Sequence, residues 1–166
     1  MIKGLKPEEL CLEGRVPQSL IHMAAALLWA TRSTCKRLQV GAVLAKGGRT
    51  ISTGYNGAPS GLPHCNDENC KSQPQCKRTV HAEMNAILFA ARYGISTEGA
   101  ELYTTHSPCI DCAKAIINAG IKKVYYIEEY RNREGLELLE QAGIELYKLV
   151  LDEDENGGEQ ECHNEE

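Results

Sequence analysis

The chain has 166 residues, enough for one domain with a substantial core. Hydrophobic residues make up 42% and charged residues 25%, an ordinary globular composition, while aromatics at 5% argue against a stacking platform for single-stranded nucleic acid. The formal net charge of −5 speaks against a polyanionic partner, and no apolar run approaches the roughly 18–20 residues that span a bilayer. The opening residues, Met1-Ile2-Lys3-Gly4-Leu5-Lys6, lack the apolar stretch and small-residue cleavage site of a secretory signal. The expectation is therefore a reducing, cytoplasmic setting, in which the eight cysteines read first as metal ligands or catalysts.

Residues 1–16 read as a loosely packed lead-in to a single domain over 1–151. Pro17-Gln18-Ser19 opens a helix whose apolar stripe is expected at Leu20, Ile21, Met23, Ala24, Leu27, Leu28 and Thr31, with His22 and Trp29 off it. Strands follow at Val40–Leu44 and Thr50–Tyr55, and Gly47-Gly48 is a plausible hairpin turn between them. Residues 56–79 are polar and hold three cysteines, three prolines and two glycines, so they read as a long loop that needs a function or a staple. Next come a helix over His81–Tyr93 stopped at Gly94, a strand over Ala100–Thr105, and a helix from Cys109 to Ala119 ended by Gly120. A buried strand at Lys123–Glu128, a helix at Gly135–Ala142 and a last strand at Ile144–Val150 complete the series. The order α-β-β-α-β-α-β-α-β implies a sheet of about five strands covered by helices.

From Asp152 the composition changes. Residues 152–166 carry eight acidic groups, no Lys or Arg, and Gly157-Gly158, and read as a disordered acidic tail, for interaction or simply for solubility. Of the 23 acidic residues 15 remain before it against all 18 basic ones, so the body is +3 and well able to accept an anionic ligand.

Two pieces carry chemistry. His81-Ala82-Glu83 opens one helix, and Pro108-Cys109-Ile110-Asp111-Cys112 opens the next, one strand later. Each is weak alone, since His-x-Glu arises by chance and Cys-x-x-Cys also suits a thioredoxin-like redox pair. In this order, each at a helix start, they match the zinc deaminase signature. Cys109 and Cys112 lie three apart, so one helical turn puts both sulfurs on one face. Unpaired N–H groups there favour thiolates, two thiolates balance the charge of Zn²⁺, and neutral His81 is the third ligand. The fourth position is left for water, as catalytic zinc requires. Glu83 is expected to carry the proton between that water, ring N3 of a cytosine and the leaving amine. A structural Cys₂His site leaves such a carboxylate unexplained.

Further segments widen the match. Arg32-Ser33-Thr34-Cys35-Lys36-Arg37-Leu38-Gln39-Val40-Gly41-Ala42-Val43, Gly54-Tyr55-Asn56-Gly57-Ala58-Pro59-Ser60-Gly61, His81-Ala82-Glu83-Met84-Asn85-Ala86-Ile87, Tyr103-Thr104-Thr105-His106-Ser107-Pro108-Cys109 and Gly120-Ile121-Lys122-Lys123-Val124-Tyr125-Tyr126 resemble the deoxycytidylate (dCMP) deaminase family. The resemblance covers roughly residues 20–150 and is closest to the bacterial and bacteriophage branch. It implies hydrolysis of dCMP to dUMP for thymidylate synthesis and a three-layer α/β/α cytidine deaminase-like fold with a mixed sheet. It also implies a homohexamer, activation by dCTP with Mg²⁺ and inhibition by dTTP, with no membrane or nucleic-acid partner.

Residue roles follow from chemistry and from this carry-over. Arg37 is the choice for the substrate phosphate, which a guanidinium grips bidentately; the plain alternative is a surface arginine. Asn56, in a Gly-flanked loop, is a candidate for sugar or base contacts, although Asn-Gly is also a common turn. Tyr130 could close over the nucleotide, or be an interface tyrosine. By resemblance, the loop with Tyr55 and Gly57 helps form the regulatory nucleotide site, and Phe89 and Arg92 match positions linking subunits to regulation; Phe89 otherwise reads as a core residue.

Cys65, Cys70 and Cys76 are spaced Cys-x₄-Cys-x₅-Cys, which fits no standard zinc-finger spacing. His64 or Cys35 could supply a fourth ligand. In the bacterial and phage deaminases that this chain resembles, cysteines stand at positions corresponding to Cys35 and Cys65, the latter in a second, structural zinc site. The expectation is a closed Cys₄ site of Cys35, Cys65, Cys70 and Cys76, whose metal would order a loop poor in apolar residues. Buried thiols without metal are the alternative. Cys11 and Cys162 receive no role. Competing readings are a deaminase that also takes dCTP, a tRNA adenosine deaminase, and a non-catalytic zinc module for protein or nucleic acid. The Gly-Tyr-Asn-Gly loop and the Arg37 region favour the mononucleotide enzyme.

Overall fold

Gly47 and Gly48 both have left-handed backbone, φ 57° and 74°, which glycine adopts without a steric penalty. They turn β1 (Gly41–Lys46) onto β2 (Arg49–Tyr55) in the expected two-residue hairpin, with a register shift between Leu44 and Ala45. The computed structural model describes residues 15–35, 37–65 and 78–150; Cys70, Cys76, most of the lead-in and the acidic tail lie outside the described residues.

The other elements are α1 (Gln18–Ala30), α2 (Ala82–Arg92), β3 (Glu101–His106), α3 (Ile110–Asn118), β4 (Lys123–Glu128), α4 (Glu134–Gln141) and β5 (Glu145–Lys148), in the chain order read from the sequence. They build a mixed sheet ordered β2-β1-β3-β4-β5. Strand β1 is antiparallel to both neighbours, while β3, β4 and β5 are parallel and joined by helical crossovers.

The two faces of the sheet are covered unequally. Ala42, Leu44, Leu102 and Val124 point to one side and pack with Ala82 and Ala86 of α2, Ala113 and Ile116 of α3, and Leu139 of α4. Val43, Ala45 and Tyr103 point to the other, where Met23 and Ala26 of α1 meet them. Among the described residues three helices therefore cover one face and one covers the other. Strand β4, expected to be buried, is buried on one side only: Val124 and Tyr126 are enclosed, Tyr125 and Ile127 half-buried. On that thinner side Tyr103, Tyr125 and Tyr147 are register partners and stack with ring centroids 4.5 and 4.7 Å apart.

Helix α1 corrects the expected stripe. Its sheet-facing residues are His22, Met23, Ala26 and Ala30, whereas Leu20, Ile21, Leu27 and Leu28 are exposed. The helix lies so close to β1 that a Cβ on Gly41 would collide with the Ala26 carbonyl, with the Ala30 nitrogen 2.6 Å away. Alanines fit that separation and leucines do not. Because the helix is apolar almost all round, hydrophobic spacing could not choose its inner side. His22 is accommodated inside by a contact of 3.2 Å between its Nδ1 and Thr50 Oγ1, with its ring against Tyr103.

A second close approach positions α2. Gly54 of β2 lies against the Ala82 carbonyl, and a Cβ there would also stand 2.6 Å from the Ala86 nitrogen. Ser52 Oγ donates to Ala86 O at 2.6 Å and Asn85 Nδ2 to Tyr55 O at 2.7 Å, so strand and helix are bonded as well as packed. Gly54→Ala is expected to force them apart and lower stability by about 1–3 kcal/mol, read as a fall in the urea midpoint with an unchanged slope.

Candidate active site

His81 is the N-cap of α2 and Cys109 the N-cap of α3, both with extended backbone, φ −71° and −72°. Their helices start at the same end of the sheet, where β2 and β3 finish. Cys112 is buried one turn into α3, and Glu83 is buried in the first turn of α2. His81 Nδ1 lies 3.4 Å from Cys109 Sγ and 3.5 Å from Cys112 Sγ. One ligand atom from each of the three falls within 4.8 Å of the others, the one such trio among the described residues.

The donor set fits zinc. Tetrahedral bonds of about 2.3 Å to sulfur and 2.0–2.1 Å to nitrogen put S and N about 3.5 Å apart, matching both separations. Hydrogen bonding from Cys112, and then from His81, pulls the Cys109 thiol down to about 4, while Cys112, on the donating side of that bond and buried, is pushed up. A bound metal ion would take the place of that shared proton and hold both as thiolates. Burial lifts the Glu83 carboxyl to about 7, against the opposing pull of its own backbone N–H and of His81. A carboxyl so placed can exchange protons near neutrality.

Loop contacts bring other expected residues to this end of the sheet. Gly57 and Val80 exchange backbone hydrogen bonds of 3.1 and 2.9 Å, which ties the Gly-Tyr-Asn-Gly loop beside His81. Asn56 is buried; its Oδ1 accepts from Val40 N and its Nδ2 donates to Leu38 O, each at 2.8 Å. Its amide thus fixes the segment that carries Arg37, and each polar end retains capacity for one more partner. Arg37 is exposed, and Tyr130 is half-buried just beyond β4. Tyr55 stacks on Trp29 with centroids 6.2 Å apart and planes within 5°.

Phe89, the alternative core residue, is 48% exposed, on the outer side of α2 with Leu88 and Tyr93. Its ring packs on Tyr93, over which the Arg92 guanidinium lies at 5.9 Å. Cys35 and Cys65 are buried free thiols, and Cys65 Sγ lies 3.7 Å from Thr79 Oγ1.

A family model described as the cytidine and deoxycytidylate deaminase zinc-binding region matches residues 16–128. The chain belongs to that family. The deaminase is 50% identical over 141 residues to ComE operon protein 2 of Bacillus subtilis (strain 168), covering 84% of this chain and 75% of that protein. Against the deoxycytidylate deaminase of Enterobacteria phage T4 it is 40% identical over 165 residues, covering 75% of this chain and 86% of the other. The dCMP deaminase of cyanophage S-TIM5, solved in complex with dCMP and dUMP, matches with a TM-score of 0.72 at 39% identity, over 88% of this chain and 100% of that one. The fold is therefore cytidine deaminase-like, as expected, and the protein is an enzyme of the hydrolase class. Among the described residues no helix is long and apolar enough to cross a membrane.

One further positional requirement of the deaminase lies outside every motif. Gly135, in the first turn of α4, lies against the Pro108 carbonyl, and a Cβ there would stand 2.9 Å from Cys109 C. A glycine inside a helix, disfavoured by about 1 kcal/mol relative to alanine, was the available signal. Gly135→Ala is expected to displace the Cys109 turn and weaken zinc binding about 10–100-fold, measured by competition with a chromogenic chelator.

Proposed function

We propose that this deaminase converts dCMP and water to dUMP and ammonia, supplying dUMP for thymidylate synthesis. The observation that carries the reading is the buried Glu83 in the helical turn beside the His81, Cys109 and Cys112 trio. The choice of dCMP is supported by the relatives whose names specify deoxycytidylate and by the phage enzyme solved with dCMP and dUMP.

His81, Cys109 and Cys112 hold Zn²⁺, which when bound brings the ionisation of water towards neutral pH. Glu83 accepts a proton as water adds to C4 of the cytosine and delivers it to N3. It then takes the proton of the C4 hydroxyl and passes it to the amine, so that C4=O forms as the C4–N bond breaks and ammonia departs. Arg37 binds the substrate phosphate, Asn56 contacts the sugar or base, and Tyr130 closes over the nucleotide. Cys35 and Cys65, with Cys70 and Cys76, hold a second, structural zinc. The enzyme works as a cytoplasmic homohexamer, with one catalytic domain over 1–151 and an acidic tail. Binding of dCTP with Mg²⁺ activates it and dTTP inhibits it, through Tyr55, Gly57, Phe89 and Arg92.

Glu83→Ala is expected to keep its zinc and lose at least about 10²–10⁴-fold in turnover, measured as ammonia release beside metal content. Across deoxycytidine, dCMP, dCTP and adenosine-containing RNA, each with and without dCTP or dTTP as effector, dCMP should give the highest kcat/KM; no turnover on any cytosine nucleotide would overturn the reading. Metal analysis should give two zinc ions per chain, falling to one in Cys35→Ser, whereas one in the unaltered protein removes the structural site.

A further inference from the structure

We infer that Ser107 is a positioning residue for nucleotide capture, acting through Tyr130. The inference rests on the proposal that Tyr130 closes over the substrate, and it explains what holds Tyr130 ready to do so.

Strands β3 and β4 are parallel neighbours in register from Glu101–Lys123 to His106–Glu128, so the residues after each leave the sheet side by side. Ser107 is the first residue beyond β3 and is only 3% exposed. Its backbone N–H donates to Glu128 O at 2.8 Å, extending the ladder by one rung. Its Oγ then accepts from the backbone N–H of Tyr130, also at 2.8 Å. A serine hydroxyl accepts and donates, so it can receive this bond where an alanine would leave the N–H without its partner.

The location gives this bond its consequence. Pro108 and Cys109 follow Ser107 directly, so the main chain carrying Tyr130 is bonded to the residue that leads into the trio. At the far end of the same turn, Gly135 rests on the Pro108 carbonyl. Residues 130–135 therefore form a short bridge over the start of α3, with one foot on Ser107 and the other on Pro108. The side-chain pairs of the bridge among the described residues lie at the surface: Arg133 with Glu129 at 3.4 Å and Asn132 with Glu134 at 3.1 Å. Exposed pairs of this kind hold a loop weakly. The Ser107 hydroxyl, on a buried residue, is better shielded from water than these pairs, and it ties the Tyr130 main chain to the segment that leads into Cys109.

The full-length zinc enzyme with Ser107→Ala, Tyr130→Ala, or both, tests the assignment. Ser107→Ala should raise KM for dCMP about tenfold, with kcat within about twofold and zinc content unchanged. Exchange of the Tyr130 amide should quicken at least about tenfold in Ser107→Ala, while the Ala113 amide, bonded to Cys109 O in α3, keeps its rate. In the Tyr130→Ala background Ser107→Ala should add less than about twofold, because the ring it positions is gone. Multiplicative KM effects, or loss of zinc in Ser107→Ala, would overturn the role of Ser107 alone. If Tyr130→Ala leaves KM unchanged although Ser107→Ala frees the Tyr130 amide, the closing role of Tyr130 fails and this inference fails with it.

Discussion

Two helix N-termini lie side by side at one end of the sheet, and three ligand atoms must converge there to within about 3.5 Å. Side chains as short as cysteine and histidine cannot reach across a gap, so the backbones that carry them must be brought almost into contact. The structure meets this demand by omitting side chains where the backbones touch: Gly54 admits the first turn of α2 onto β2, and Gly135 admits α4 onto the Pro108–Cys109 turn. Before any metal binds, the cysteine pair shares one proton: hydrogen bonding favours the thiolate at Cys109, while Cys112 is kept protonated. The carboxyl of Glu83 is enclosed by the same closeness, and its pKa rises for that reason.

The unequal cover of the sheet follows from where that convergence lies. Helices α2, α3 and α4 all have to stand on one face to bring their N-terminal turns together, and they take the large aliphatic core with them. Among the described residues the opposite face has one helix, pressed close by alanines, and a row of tyrosines that stack along the sheet. Stacked rings suit such a place, since each has an apolar body and a hydroxyl that can face water.

Much of this was readable from residue order. The alternation of elements, the glycine hairpin and the two metal motifs depend on local rules of turn geometry and ligand spacing, and they survive into three dimensions almost unmoved. The inner side of α1 was not readable, because Leu20, Ile21, Leu27 and Leu28 satisfy an apolar pattern as well as Met23, Ala26 and Ala30 do. The choice between them was made by Gly41, eleven residues beyond the helix, whose missing Cβ sets the separation. Ser107 lies within the Tyr103–Cys109 motif, but its partner is a main-chain N–H in the turn beyond β4, which no pattern of side chains reveals. Asn56 was legible as important, while its use as a tie between Leu38 and Val40 depends on a long-range pairing.

Trp29 is the chain's single tryptophan, and it lies face to face with Tyr55 at the base of the Gly-Tyr-Asn-Gly loop. That loop is bonded through Gly57 to Val80, immediately before the histidine of the trio. The indole therefore sits two contacts from the chemistry without taking part in it. Its emission is a built-in optical gauge of the Trp29–Tyr55 stack and so of the base of that loop, read in the native chain with no added dye.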